Sequence, residues 1–470
     1  MLDPAGFLNY DDEFGKILQK FDDMLSSKKS SYFDVEVFSE IIGYLIETNQ
    51  KDKAKQALKI GLLQHPNSDE LMLKSAQFNI LTQNFPKANR ILKQLLSQDG
   101  ENPEIYYLFG QLHLASNKLS KAVKYFDSAL TLADFDDKAT LLYLITDDLM
   151  DKGEYHHAIN YLHEILEIDK FDFEALIDLG TCYKELELFD KAIEEFNNYL
   201  DRDTFNEMIW YQLGTLYEQL EKDKEAIDAY EFAAAIEPEY SSAYFSIALI
   251  YSKNEDYKKA IHYLEELIVH ESTNMHAYFY LAESYFQIGK IDKAMTFFEK
   301  TIALEPDFAD AWFGIGEIYY KENRIAESLV YIRKAIKYDP EEPLFWLRLA
   351  IIQQNLKYLK YAIRSFQKVI SLDPYDERAN IHLAECYFEM KDYDQVISSC
   401  DKSLHKFNAP SLFFLKGAAY LEKEKYELGL KSIEEGLKIE YEAFDNFVYF
   451  YPKILSFDAV KKLINSFQKD

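Results

Sequence analysis

"NEMIWYQLGTLYEQLEKDKEAIDAYEFAAAIEPEY", residues 206–240, decides the fold of this chain. Its apolar residues fall three or four apart in two runs: Trp210, Leu213, Gly214 and Tyr217, then Ala226, Tyr230 and Ala233. Such spacing lines one side of a helix. Pro238 follows the second run, where it stops a helix and redirects the chain. The stretch is therefore a helical hairpin with an apolar side that it cannot bury alone.

The hairpin recurs. Ala226 has counterparts 34 residues apart at Ala192, Ala158, Ala260, Ala294, Ser328 and Ala362, and earlier at Ala122, Ala88 and Ala54. Counting this residue as position 20, units begin at Val35, Asp69, Pro103, Ala139, Phe173, Glu207, Ser241, Met275, Ala309, Pro343, Glu377 and Pro410. Two extra residues enter before Ala139, in the acidic stretch "LADFDDKAT", which reads as a loop, and one is lost before Pro410. A period of this length marks a stack of helix pairs whose neighbours bury each other.

Position 8 is also small (Gly110, Gly180, Gly214, Ala248, Ala282, Gly316), so the paired helices can approach closely. Large residues at positions 4, 7, 11 and 24 fill the space around them. Pro66, Pro238, Pro306, Pro340 and Pro374 at position 32 end second helices. In weaker units Ile42 and Thr146 replace the small residue at 8, and Val396 and Gly429 replace Ala at 20, yet the phase holds.

Composition agrees with an all-α chain: of 470 residues 48% are hydrophobic, while Gly and Pro number only 15 and 11. The net charge of −29 argues against nucleic acid and anionic membranes, both of which call for clustered Lys and Arg. Three cysteines cannot make a disulfide framework; Cys182, Cys386 and Cys400 read as buried thiols in a reducing compartment. No signal peptide or bilayer-length apolar run is visible, so the expected location is cytoplasmic.

No phosphate loop, dinucleotide fingerprint or nucleophile elbow occurs. His156 and His163 lie two helical turns apart, too far to share an ion, and "DFDD" at 134–137 lacks the rest of a calcium loop. No catalytic, cofactor-binding or metal-binding residue is expected.

The positional pattern resembles the tetratricopeptide repeat family over residues 35–443, about twelve units. The resemblance implies an all-α, right-handed superhelical solenoid and a non-catalytic scaffold for protein partners. Residues 1–34 would be an amphipathic N-terminal cap, and 444–470 C-terminal capping helices divided by Pro452. In the family, positions 2, 5, 9 and 12 of the first helices line a concave groove. Members that grip a C-terminal carboxylate carry Lys at 5 and Asn at 9; here neither occurs.

Position 5 is instead aromatic at Tyr211, Phe245, Phe279 and Phe313, position 12 at Phe286, Tyr320 and Phe388, and position 9 is acidic at Glu283, Glu317 and Glu385. One reading makes these ten residues a groove for a protein or peptide with apolar and basic side chains. The other has the position-5 rings packing on the neighbouring repeat. An alternative function is a self-associating structural subunit, or a regulatory subunit of a larger assembly.

Overall fold

The computed structural model describes residues 12–27 and 31–467. Residues 1–11 and 28–30 of the expected N-terminal cap, and 468–470 of the C-terminal one, lie outside them. The chain divides into two compact units, residues 1–222 and 223–470.

The first unit runs α1 (Asp12–Ser27), α2 (Val35–Glu47), α3 (Lys51–Gln64), α4 (Asp69–Leu81), α5 (Phe85–Gln98), α6 (Pro103–Ala115), α7 (Leu119–Leu132), α8 (Phe135–Asp151), α9 (Tyr155–Ile168), α10 (Phe173–Glu185), α11 (Phe189–Leu200) and α12 (Glu207–Gln219). The second unit runs α13 (Asp223–Ile236), α14 (Ser241–Lys253), α15 (Tyr257–His270), α16 (Met275–Gln287), α17 (Ile291–Leu304), α18 (Ala309–Lys321), α19 (Ile325–Tyr338), α20 (Pro343–Asn355), α21 (Leu359–Leu372), α22 (Glu377–Glu389), α23 (Tyr393–Leu404), α24 (Pro410–Glu422), α25 (Tyr426–Ile439), α26 (Ala443–Phe450), a 3₁₀ turn (Pro452–Ser456) and α27 (Asp458–Phe467). Among the described residues there is no strand. The fold is an all-α solenoid of helix–turn–helix repeats.

The returning small residue sits where two helices cross. Every position-20 alanine from Ala54 to Ala362 is fully buried, and so is Ser328. The Ser328 hydroxyl donates to the Gly316 carbonyl at 2.8 Å, so its polarity costs nothing there. Position 8 is small because position 24 needs the space: a Cβ on Gly110 or Gly180 would stand 2.3 Å from the ring of Phe126 or Phe196. Larger residues at 8 in weaker units are still buried, as Ile42 and Thr146 show.

Both turns of the hairpin have a fixed chemistry. Leading up to the first helices, Ser68, Asn102, Asp172, Asn206, Asn274 and Asp376 accept a hydrogen bond from a backbone amide of the helix they cap. Between the two helices of every repeat, position 15 adopts a left-handed conformation. Gly fills it at Gly153 and Gly289, but ten others are Asn, Gln, Glu or Lys, from Asn49 to Glu424. Second helices stop two residues short of their proline: α17 at Leu304 before Pro306, α21 at Leu372 before Pro374.

The acidic insertion is not the loop expected. Asp134 accepts from the Asp137 amide at 3.0 Å, and α8 starts at Phe135, with 17 residues where α6 has 13. An added turn at a helix N-terminus leaves the later apolar face in phase, so the extra residues extend the helix rather than the turn. "DFDD" is thus a helix start.

The terminal helices bury apolar side chains against their neighbours. Phe14, Phe21 and Met24 of α1 are buried in a cluster with Phe38 and Ile41 of α2. At the other end Phe444, Phe447, Ile454 and Val460 are buried with Phe414.

Candidate functional site

The first helices carry the candidate residues on one side, since positions 5, 9 and 12 are three or four apart. In the second unit this face is built from α14, α16, α18, α20 and α22. Tyr211 lies in the first unit, on α12, half-buried.

The position-5 rings of Phe245 and Phe313 pack onto the following repeat, and that of Phe279 onto the last residue of its own. Phe245 meets Tyr280 edge-on at 5.5 Å, Phe279 meets Phe308 at 5.2 Å, and Phe313 lies 4.8 Å from Phe345. Phe279 also touches Phe298 of its own hairpin. All three remain half-buried.

Position 12 divides. Phe286 and Tyr320 are half-buried and each lies under a cation: Lys321 is 4.8 Å from the Phe286 centroid and Arg348 is 4.9 Å from that of Tyr320. Phe388 does not belong with them. It is 6% exposed, closed over by Tyr451 at 4.8 Å and Phe450 at 6.0 Å. The C-terminal helices cover this ring, which makes it core rather than an anchor.

The acids are treated unequally. Glu317 pairs with Arg348 at 2.6 Å, both half-buried, and its other oxygen is buried without a partner. Glu385 accepts from Gln354 at 3.1 Å and lies 2.8 Å from His382 Nδ1. Glu283 has neither an ion pair nor a hydrogen bond among the described residues. Burial, with Asp310 and Glu317 nearby, pushes its carboxyl up to about 7. Asp310 is raised as well, chiefly by burial and then by Glu342 and Asp339.

Sequence reasoning missed Arg348, Gln354 and His382. The signal was a spacing of 31 residues: Glu317 to Arg348 and Gln354 to Glu385 are each one repeat on and three places back. It also missed the indole contacts at position 4, where Trp312 and Trp346 each donate to a carbonyl six residues earlier, those of Pro306 and Pro340, at 2.8 Å.

The equivalent face of the first unit has its own acids. Tyr107 donates to Asp148 at 2.8 Å, joined by the Gln111 amide, and Tyr143 donates to Asp172. Asp178 is pushed up to about 6 by burial, then by Asp147, Glu174 and Asp172.

Among the described residues no three His, Cys, Asp or Glu side chains are placed to hold a metal ion, and no helix is long and apolar enough to cross a membrane. The three cysteines are buried and unpaired, and burial holds their thiols up at about 12.

Comparison with known families places the chain. Tetratricopeptide repeat families match residues 80–142, 143–207, 209–240, 282–323, 309–342 and 344–376. The family of subunit 3 of the anaphase-promoting complex, cyclosome, matches residues 230–301. The chain is a tetratricopeptide repeat protein, a class built for protein–protein contact and generally without catalysis.

Among solved structures, the MamA protein is 28% identical over 37% of this chain and 94% of its own, with a TM-score of 0.33. YrrB, a repeat protein with an unusual peptide-binding site, is 23% identical over 39% of this chain and 95% of its own, TM-score 0.35. A tetratricopeptide repeat protein from Parabacteroides merdae is 19% identical over 52% of this chain and 97% of its own, TM-score 0.41. No curated protein matched the sequence.

Proposed function

We propose that the second unit binds a protein segment along the 5–9–12 face of α14 to α20, and that this segment offers basic and apolar side chains. The observation that carries the reading is Glu283, a half-buried carboxylate without a cation, beside Asp310. A buried acid without a partner is costly, and an incoming Lys or Arg would relieve it. The chain's own cations support the choice, since Lys321 and Arg348 already sit on the rings of Phe286 and Tyr320 in the same row. Phe245, Phe279 and Phe313, half-buried, supply apolar contact on a surface fixed by neighbouring repeats, so little receptor ordering opposes binding. The three free thiols suit a cytoplasmic setting.

The test is affinity capture from source-cell lysate with the native chain and with Glu283→Lys/Asp310→Lys. The expected result is a partner captured by the native chain alone, with helicity equal in both. Equal capture by the two would remove the acidic face from the reading. Binding should also strengthen as pH rises through about 7, as Glu283 ionises.

A further inference from the structure

One hairpin of the first unit departs from the rest on the opposite side of its first helix. In six of the twelve repeats positions 7 and 11 hold an aliphatic residue and a tyrosine, as in Leu179 and Tyr183, Ile247 and Tyr251, Leu281 and Tyr285, Ile315 and Tyr319. The tyrosine stacks on an aromatic of its second helix, as Tyr251 does on Tyr263 at 5.7 Å and Tyr285 on Phe297 at 5.6 Å. A position-19 lysine caps the ring: Lys259 lies 4.7 Å above Tyr251, Lys293 4.6 Å above Tyr285 and Lys191 5.8 Å above Tyr183.

In the α4–α5 hairpin those places read Ser75 and Asn79. Both are more than nine-tenths buried, and the Asn79 amide folds back onto the Ser75 carbonyl. Neither fills the volume that leucine and tyrosine fill elsewhere, and a cleft of about 660 Å³ opens between α3, α4 and α5. Leu58, Leu62 and Phe78 wall it. Lys87 is the position-19 lysine here, so it keeps its place at the cleft with no ring beneath it.

The rim is cationic in a chain of net charge −29. Lys51, Lys55 and Lys59 follow one another at four-residue spacing on α3, all exposed, and join Lys87 around the opening. Like charges so spaced repel along a helix. The α3 lysine that does pair is Lys53, with Asp22; among the described residues those four have no ion pair. Asp52 is the acid at the cleft.

We propose that this cleft is a second docking site, which takes an acidic protein segment by one aromatic side chain. The ring would occupy the volume vacated at position 11, against Leu58 and Phe78 and under Lys87. Asp or Glu residues flanking it would meet the lysine row. Positions 7 and 11 lie about 200° around the helix from 5 and 9 at 3.6 residues per turn, so this site and the acidic face use opposite sides of the first helices. Their charge preferences are opposite too. Salt screens the acidic remainder of the chain beyond about 8 Å at physiological strength, which leaves the local lysines to dominate at contact.

The experiment uses the full chain and a short fluorescein-labelled peptide of Asp and Glu around one Trp, read by fluorescence anisotropy. Native chain should bind it, more weakly as salt rises. Ser75→Leu/Asn79→Tyr restores the side chains other repeats carry, so it should fold normally and lose binding by at least about tenfold, as should Lys55→Glu/Lys59→Glu on the exposed rim. Replacing the peptide's Trp by Ser should abolish binding. Undiminished binding by the filled variant would overturn the proposal, and so would equal binding of a peptide with Lys for each acid. Binding of laurate with none of the peptide would assign the cleft to a fatty anion and overturn it as well. Sedimentation that shows a dimer abolished by Asn79→Tyr, again without peptide binding, would overturn it in favour of a second copy.

Discussion

Both units carry half-buried carboxylates along their first helices or at the caps before them, yet hold them by different means. In the first unit phenols and an amide do the work: Tyr107 and Gln111 hold Asp148, and Tyr143 holds Asp172. In the second unit a guanidinium holds Glu317, an amide and an imidazole hold Glu385, and Glu283 is left unpaired. The backbone frame is shared, so the difference lies in a few side chains on the first helices and just before them. A carboxylate bound to a neutral partner inside its own unit is spent on structure. One left without a partner among the described residues, as Glu283 is and as Asp178 is in the first unit, is held up by burial and ionises only near neutral pH or somewhat below.

Removing a ring tests whether the aromatics of the second unit are structural. Phe279→Ala should destabilise by about 2–4 kcal/mol, measured as a lower urea midpoint, because the ring packs on Phe298 and Phe308. An unchanged midpoint would make the ring a free anchor. Arg348→Ala comes next, at about 1–3 kcal/mol, since it strands a half-buried Glu317. Adding Glu317→Gln should recover most of that loss, and a cycle with no coupling would show the pair to be inert.

Titration separates the units further. Glu283 binds its proton more tightly folded than unfolded, so the native state holds more protons between about 4.5 and 7 and stability falls as pH rises through that window. Asp178 follows the same sign, between about 3.8 and 6. Glu283→Gln should therefore raise the melting temperature at pH 8 more than at pH 5, while the gain from Asp178→Asn should be complete by neutral pH. In the first unit Tyr107→Phe removes one donor from Asp148 and should cost about 1 kcal/mol in thermal melts, less than Arg348→Ala in the second. The smallest effect belongs to the turns: Lys391→Gly should stabilise by about 0.5 kcal/mol, because Gly adopts the left-handed conformation without steric cost.

The solenoid was legible because one residue type recurs at a fixed interval and every copy meets the same crossing helix. Ala54, Ala192 and Ala362 are far apart in sequence and equally buried. The start of α8 was not legible, since Asp134 could cap a helix or sit in a loop, and only the cap satisfies the Asp137 amide. At the candidate site the acids at position 9 could be read, but Arg348 and Gln354, which hold Glu317 and Glu385, come from neighbouring repeats. Phe388 failed for the same reason at longer range: Tyr451 and Phe450, which cover it, belong to no repeat. The open cleft beside Ser75 and Asn79 was written in the sequence as two small polar residues where the other hairpins are bulky.

The left-handed residue at position 15 bears on how such a chain changes length. Every one of the twelve hairpins reverses direction through the same backbone conformation, and only two need glycine to do it. Any turn is then a fair substitute for any other. A recombination event that joins position 15 of one repeat to position 16 of another would delete or duplicate whole hairpins without leaving a strained seam. The cost of such an exchange falls instead on the helix crossing, where a small position 8 such as Gly110 must meet the ring at position 24.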